Sequence, residues 1–290
     1  MKKIKLLALC AIAAGVVTSC QKDEIADATT EVSSLDLSKA QIEALHEAGV
    51  NSYGAQLGKM ETIDGVTKDV VYVADYALDL QKLMNGEFAL GTAEDGQKQY
   101  RTNNLISSSN STIDIIGYTG SCCALTSTMQ TGLQWAVNNY NRINTRLNFR
   151  LTFGTDYQSK DMVVYNNGQG GAGGQAEFPS GGRPGKFIQI NAGTGSFGGS
   201  NVNNVNEHVI GHEIGHAVGF RHTDYARRRC DGSNEGTAGS IGAVHIPGTP
   251  TANRWGQSGL DTNSLMISCF DGSEDGEFSN FDVVALEFLY

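Results

Sequence analysis

The chain has 290 residues, 40% of them hydrophobic and 18% charged, with a formal net charge of −10. That length holds one large or two modest domains with a buried core, and the composition excludes a disordered polymer. Acidity without a basic stripe argues against nucleic acid as a partner.

Residues 1–19 read as a targeting segment. Lys2, Lys3 and Lys5 make a positive start, residues 6–17 form an apolar run too short to span a bilayer, and Val17-Thr18-Ser19 leads into Cys20. The pattern resembles the lipobox of bacterial lipoproteins, in which the cysteine is lipid-modified and becomes the new N-terminus. An ordinary secretory peptide cut near Ala13 or Ala14 is the alternative. Gln21-Lys22-Asp23-Glu24 is similar to the surface-export tags of some Gram-negative lipoproteins. The expectation is an exported lipoprotein on the outer membrane or cell surface, tethered by acyl chains rather than by a helix. Residues 20–34, small and polar, read as a flexible tether.

Residues 35–96 read as a compact N-terminal unit. Asp36-Leu37-Ser38 caps a helix through Ala48, with Gly49 ending it and Ile42 and Leu45 on one face. Val70-Val71-Tyr72-Val73 is rich in strand formers, and residues 78–84 read as a short helix.

A second unit runs over residues 97–290. Residues 100–106 and 112–118 read as strands, and 127–144 as an amphipathic helix with Met129, Leu133, Ala136, Val137, Tyr140 and Ile143 at helical spacing. Residues 147–153 and 162–165 supply two more strands. The glycine-rich stretch 166–185 reads as a long loop. Simple flexibility, a cation-stabilised loop and the rim of a cleft all fit it, and no acidic ligand pattern supports calcium. Residues 186–191 are expected to form an edge strand whose free backbone could pair with an extended peptide. The next helix is expected to begin near Asn203 or Asn204.

That helix carries the sequence HEIGHAVGFRHTD, residues 212–224. His212 and His216 are four apart, so on a helix they are offset by only about 40° and project from one face. Gly219 can end the helix in a left-handed conformation, which lets His222 turn back toward the same point. Three neutral imidazoles around one zinc leave a fourth position for water, the arrangement of a catalytic site. Glu213 stands beside them as the general base. Four of the six histidines (His208, His212, His216 and His222) fall within fifteen residues, and Ile214, Ala217, Val218 and Phe220 between them are apolar. His208 lacks a following glutamate and reads as a helix-face residue.

The pattern H-E-x-x-H-x-x-G-x-x-H matches the metzincin zinc-binding signature. Ser264-Leu265-Met266-Ile267 supplies the methionine turn that such enzymes pass beneath the metal. The segments QYRTNNLIS, HEIGH followed by VGFRHTDY, and the closing DVVALEFLY resemble the M57 group of bacterial metzincins, the dual-action HEIGH metallopeptidases. The resemblance covers residues 97–290 and is specific at the helix. It implies an α+β zincin fold with a twisted mixed sheet, a supporting helix and a zinc-binding helix, in an upper part (97–222) above a small irregular lower part (223–290) that ends in a helix. It also implies one catalytic zinc on His212, His216 and His222, Glu213 as base and Met266 as the turn methionine. Related families carry a tyrosine two residues after that methionine, whereas Ser268 stands here; Tyr225 is the one substitute nearby. Residues 35–96 are then either an inhibitory pro-segment or a structural extension.

Beyond Asp224 the chain is irregular, and Arg227-Arg228-Arg229 reads as solvated. Residues 267–277 are expected to wall the pocket for the substrate residue after the cut. Ser279 or Asn280 caps a final helix whose Val284, Leu286, Phe288 and Leu289 are expected to face inward. In an exported protein Cys122, Cys123, Cys230 and Cys269 suggest disulfides, with three connectivities open. A Cys230–Cys269 bridge would staple the segment below the metal. Cys122 and Cys123 read as a free or locally paired structural pair, since GSCCAL does not match the switch motif by which a thiolate silences zinc in matrixin zymogens.

The function expected is a lipid-anchored zinc endopeptidase cutting extended protein segments. A non-enzymatic binding lipoprotein on the same scaffold and a zinc hydrolase of a non-protein substrate are the rivals.

Overall fold

Ser38 and Gln41 exchange side-chain-to-backbone hydrogen bonds in a capping box, which starts helix α1 (Lys39–Glu47) and turns its Leu45 into the core. This computed structural model describes residues 37–48, 50, 52, 54–88, 100–102, 104–235 and 243–290. The leader, Cys20 and the tether lie outside the described residues. None of the described helices is long and apolar enough to cross a membrane.

After α1 come β1 (Gln56–Glu61), β2 (Thr67–Val73) and β3 (Tyr76–Asp79), paired antiparallel as a meander. Val73 pairs with Tyr76, so Ala74 and Asp75 alone make the β2–β3 turn. Asp79 then caps the short α2 (Leu80–Met84) by accepting from the Lys82 N–H. The expected strand at 100–106 contracts to β4 (Tyr100–Arg101), which pairs with β10 (Val244–His245). The reason is local. The Thr102 N–H donates to Gly219 O and the Thr102 hydroxyl to Asn104 O, which bends the chain off any strand path.

The body of the sheet follows as β5 (Thr112–Tyr118), helix α3 (Ser127–Arg142), β6 (Asn148–Gly154), β7 (Met162–Asn166), β8 (Gly174–Ala176) and β9 (Phe187–Ile190). Helix α4 (Val202–Ala217) and, after β10, helix α5 (Asn280–Leu289) complete the fold. Eight strands form one mixed sheet in the order β1-β2-β3-β8-β9-β7-β5-β6. β6, β5, β7 and β9 run parallel, β8 is antiparallel to β9, and β3 lies parallel to β8. The first four residues of β7 and all of β9 are buried, as expected for parallel strands covered on both faces. The α+β fold with a mixed sheet is thus realised.

Two expectations about the sheet need correction. The glycine-rich stretch 166–185 contains β8, too short and too poor in β-formers to betray itself. Because β8 pairs with it, β9 is an interior strand, not an edge. The N-terminal meander in turn occupies the free side of β8, so the sheet runs without a break from the first unit into the second.

Helices α3 and α4 pack on one face of the sheet. Met129, Leu133, Ala136, Val137 and Tyr140 of α3 share one core with Val205, Val209, Ile210 and Ile214 of α4. Each large side chain buried there contributes roughly 1.5–3 kcal/mol. Every residue of α4 from Val205 to Ala217 is buried, so the helix has no polar face and no amphipathic stripe to read. It starts at Val202 rather than at 203 or 204. Asn201 precedes it without capping it, because its Oδ1 accepts instead from Asn204 Nδ2, while its amide donates to Gly272 O and Glu274 O. In α5, Ser279 is the cap, and Ala285, Leu286 and Leu289 face inward. Val284 and Phe288 are exposed, against expectation.

Between α3 and α4, Glu207 accepts from Asn139 Nδ2 at 2.7 Å while only 4% exposed. Burial first, then the charge of Glu277, pushes its carboxyl up to about 7, against an ordinary 4.5. A carboxyl that holds its proton more tightly when folded stabilises at low pH, and that contribution is lost as pH rises from the ordinary value through 7. Glu207→Gln keeps the acceptor and removes the charge. It is expected to leave stability at pH 4 unchanged and to raise it by about 2 kcal/mol at pH 8, measured by urea denaturation at both values.

Candidate metal centre

The end of α4 is built by a Schellman motif. The Phe220 N–H donates to Gly215 O and the Gly219 N–H to His216 O, with Gly219 at φ +111°. β4 holds the returning segment: besides the Thr102–Gly219 bond, the Arg221 N–H donates to Tyr100 O at 2.9 Å. His222 is thereby brought back to the face that carries His212 and His216.

The three Nε2 atoms converge. His212 Nε2 lies 2.9 Å from His216 Nε2 and 3.0 Å from His222 Nε2. Each ring is fixed through its other nitrogen: His212 Nδ1 lies 2.7 Å from Leu265 O, His216 Nδ1 2.9 Å from Phe220 O, and His222 Nδ1 2.5 Å from Glu235 Oε1. Carbonyl and carboxylate oxygens only accept, so each Nδ1 carries a proton, and with any Nε2 proton displaced by a metal ion each ring turns a lone pair inward. Three lone pairs aimed at one point repel unless a cation sits among them, and a proton-donating outer contact of this kind orients metal-ligating histidines. The donor set therefore fits a metal ion.

Glu213 is buried beside the trio, and its Oε2 has no hydrogen-bond partner. Burial first, then the charge of Asp75, pushes its carboxyl well above the ordinary range. Burial pushes the His222 imidazole down, but the Asp75 and Glu235 carboxylates beside it more than reverse that, to about 10. So strong a hold on positive charge marks a pocket that favours cations.

Met266 is buried against α4, beside Gly215. The Met266 N–H donates to Ser264 Oγ, and Asp282 of α5 accepts from both Ser264 Oγ and the Leu265 N–H. The Thr223 N–H donates to Met266 O, and Ser268 donates through its N–H and its hydroxyl to Asp224. Ser268 thus ties the turn to the segment after His222, the position where related families place a tyrosine. The hydroxyl of Tyr225 accepts from Asn253 and its ring packs on Tyr100, which gives it a structural role. A Cβ added at Gly215 would stand 2.5 Å from Met266 Sδ and 3.2 Å from Tyr140 OH. Gly215→Ala is accordingly expected to displace Met266 and to cost about 1–3 kcal/mol, read as a lowered Tm.

Cys230 and Cys269 are bonded, with Cα atoms 5.6 Å apart. Cys122 and Cys123 are free thiols whose sulfurs lie 2.6 Å from each other, and neither belongs to the metal-ligating group. His208 is buried on its face of α4, against Phe270. Beside the methionine turn a cavity of about 700 Å3 is lined by His208, Arg229, Trp255, Ile267, Cys269 and Glu274, among others.

Two residues that sequence reasoning missed complete the centre. Asp75, from the β2–β3 turn, places its Oδ2 3.0 Å from His222 Nε2. Glu235 accepts from Tyr76 OH and His222 and lies 3.5 Å from both Arg221 and Arg228. Neither stands in a motif. The one available signal for Asp75 was a β-rich run broken by Ala-Asp instead of a glycine turn.

The family model of dual-action HEIGH metallo-peptidases matches residues 71–290. Two solved structures of myroilysin are similar over 60% of this chain, at 15% and 14% identity, covering 77% and 81% of their own chains with TM-scores of 0.34 and 0.33. No functionally curated protein matches the chain.

Proposed function

We propose a function that proceeds from one fact: the chain belongs to the peptidase M57 family, the dual-action HEIGH metallo-peptidases. It is a metallopeptidase whose substrates are proteins or peptides. Within that class we read it as a zinc endopeptidase of the metzincin kind, acting on extended segments. The observation that carries the reading is the set of three inward-facing Nε2 atoms, each anchored through Nδ1, beside a buried Glu213 whose Oε2 has no partner.

His212, His216 and His222 would hold the ion, and all three donors are nitrogens, which suits zinc. When bound, zinc supplies Lewis acidity toward a carbonyl and toward water. Glu213 takes the proton from the attacking water and passes it to the departing amine. Its raised proton affinity suits a group that must take up a proton before releasing it. The Met266 turn fixes the floor through His212, whose Nδ1 meets Leu265 O. The cavity along Ile267 and Glu274 is the candidate seat for the side chain after the cut. Acyl chains on Cys20 would hold this enzyme at the outer membrane or cell surface.

The test is a digest of a mixed proteome by purified protein, before and after limited proteolysis. New peptide termini that disappear with a chelator and in Glu213→Ala support an endopeptidase. Their absence in both preparations sinks the reading.

A further inference from the structure

The β2–β3 turn delivers Asp75 to the point where the histidines converge. Its Oδ2 lies 3.0 Å from His222 Nε2 and 3.7 Å from His212 Nε2, and its Oδ1 lies 3.5 Å from His216 Nε2. Oδ1 is buried without a hydrogen-bond partner. One ligand atom from each of the four residues lies within 4.8 Å of the others. Three imidazoles and a carboxylate form a complete tetrahedral set, whereas a working catalytic site keeps its fourth position open.

The backbone around Asp75 points the same way. An extended peptide reaches a cleft of this kind by adding to the sheet edge. The edge nearest Glu213 is β8, whose Gly174 would place a Cβ 2.8 Å from the glutamate side chain. β3 already lies along that edge, with Tyr76 against Ala176 and the Ala176 N–H donating to Asp75 O. Tyr76 stacks on His222, meets His216 edge-on and donates to Glu235. Lys68 of β2 ion-pairs with Glu177 just beyond β8. Ala74, beside Asp75, is held at φ +55°, the single non-glycine residue with a positive φ among the described residues. Such a conformation costs roughly 1–3 kcal/mol and persists where surrounding contacts impose it.

We propose that Asp75 is the fourth ligand of the metal held by the three histidines, and that the β2–β3 turn thereby keeps the peptidase latent. Residues 35–96 are then an inhibitory pro-segment. The inference rests on the metallopeptidase reading above.

The full chain, loaded with Co2+, is titrated with azide while its visible spectrum is followed. Hydrolysis of a fluorogenic peptide mixture is measured separately on the same samples. The wild-type spectrum is expected to ignore azide, while Asp75→Ala takes azide and hydrolyses peptide faster. If the turn closes the site about 99% of the time, the gain is about 100-fold. Asp75→Asn preserves the size of the side chain and guards against loss of fold; its amide is a weak ligand, so it too should take azide. Azide binding equally to the wild type and both variants overturns the ligand assignment. Opened variants that hydrolyse no faster than an active wild type overturn latency alone. Opened variants with no hydrolysis by any protein keep Asp75 as a ligand and remove the peptidase reading. A chain that takes up no cobalt overturns both.

Discussion

Glu213→Gln is expected to bind metal like the wild type and to hydrolyse peptides about a thousandfold more slowly once the protein is active. The substitution keeps size and removes the proton acceptor. No hydrogen bond to Oε2 is lost, because that atom has none, so the fold and the three histidines should stay in place. Burial and the nearby Asp75 charge raise the proton affinity of this carboxyl, which tunes it for proton transfer at the cost of keeping a charge in a dry site. Metal content by mass spectrometry and kcat/KM on one peptide are the two readouts. A variant that keeps a tenth or more of the rate would remove Glu213 from the base role.

Glu235→Ala is expected to damage both stability and metal binding. Its carboxylate meets His222 Nδ1, Tyr76 OH and two arginines, and its side chain is only 2% exposed. Removing one partner of such a buried charge network typically costs about 3–5 kcal/mol. Loss of the contact that orients His222 should weaken metal affinity by about 10–100-fold. Glu235→Gln retains an acceptor but not the charge, so it should fall between the wild type and Glu235→Ala. Chelator competition and thermal unfolding measure the two effects. Unchanged metal affinity in Glu235→Ala would confine the residue to a structural role.

Much of the centre was legible because its chemistry is compressed into one helix and its exit. His212, His216, Gly219 and His222 are near neighbours in sequence, so helical periodicity and glycine conformation alone bring them together. Asp75 and Glu235 reach the same point from distant segments, and nothing local in VADYA or SNEG marks them. β8 was missed for a similar reason: three residues among glycines have no propensity of their own, and only pairing with β9 makes them a strand. The outward turn of Val284 and Phe288 shows the opposite failure, an apolar pattern wider than the surface available to bury it.

The brevity of β8 has a bearing on solubility. Were the N-terminal meander to depart, the sheet would be left with an unpaired margin only three residues long, Gly174–Ala176. A margin that short offers too few open N–H and C=O groups to template cross-linking between copies of the chain. That side of the sheet is therefore a poor template for self-association while still admitting a guest strand a few residues in length.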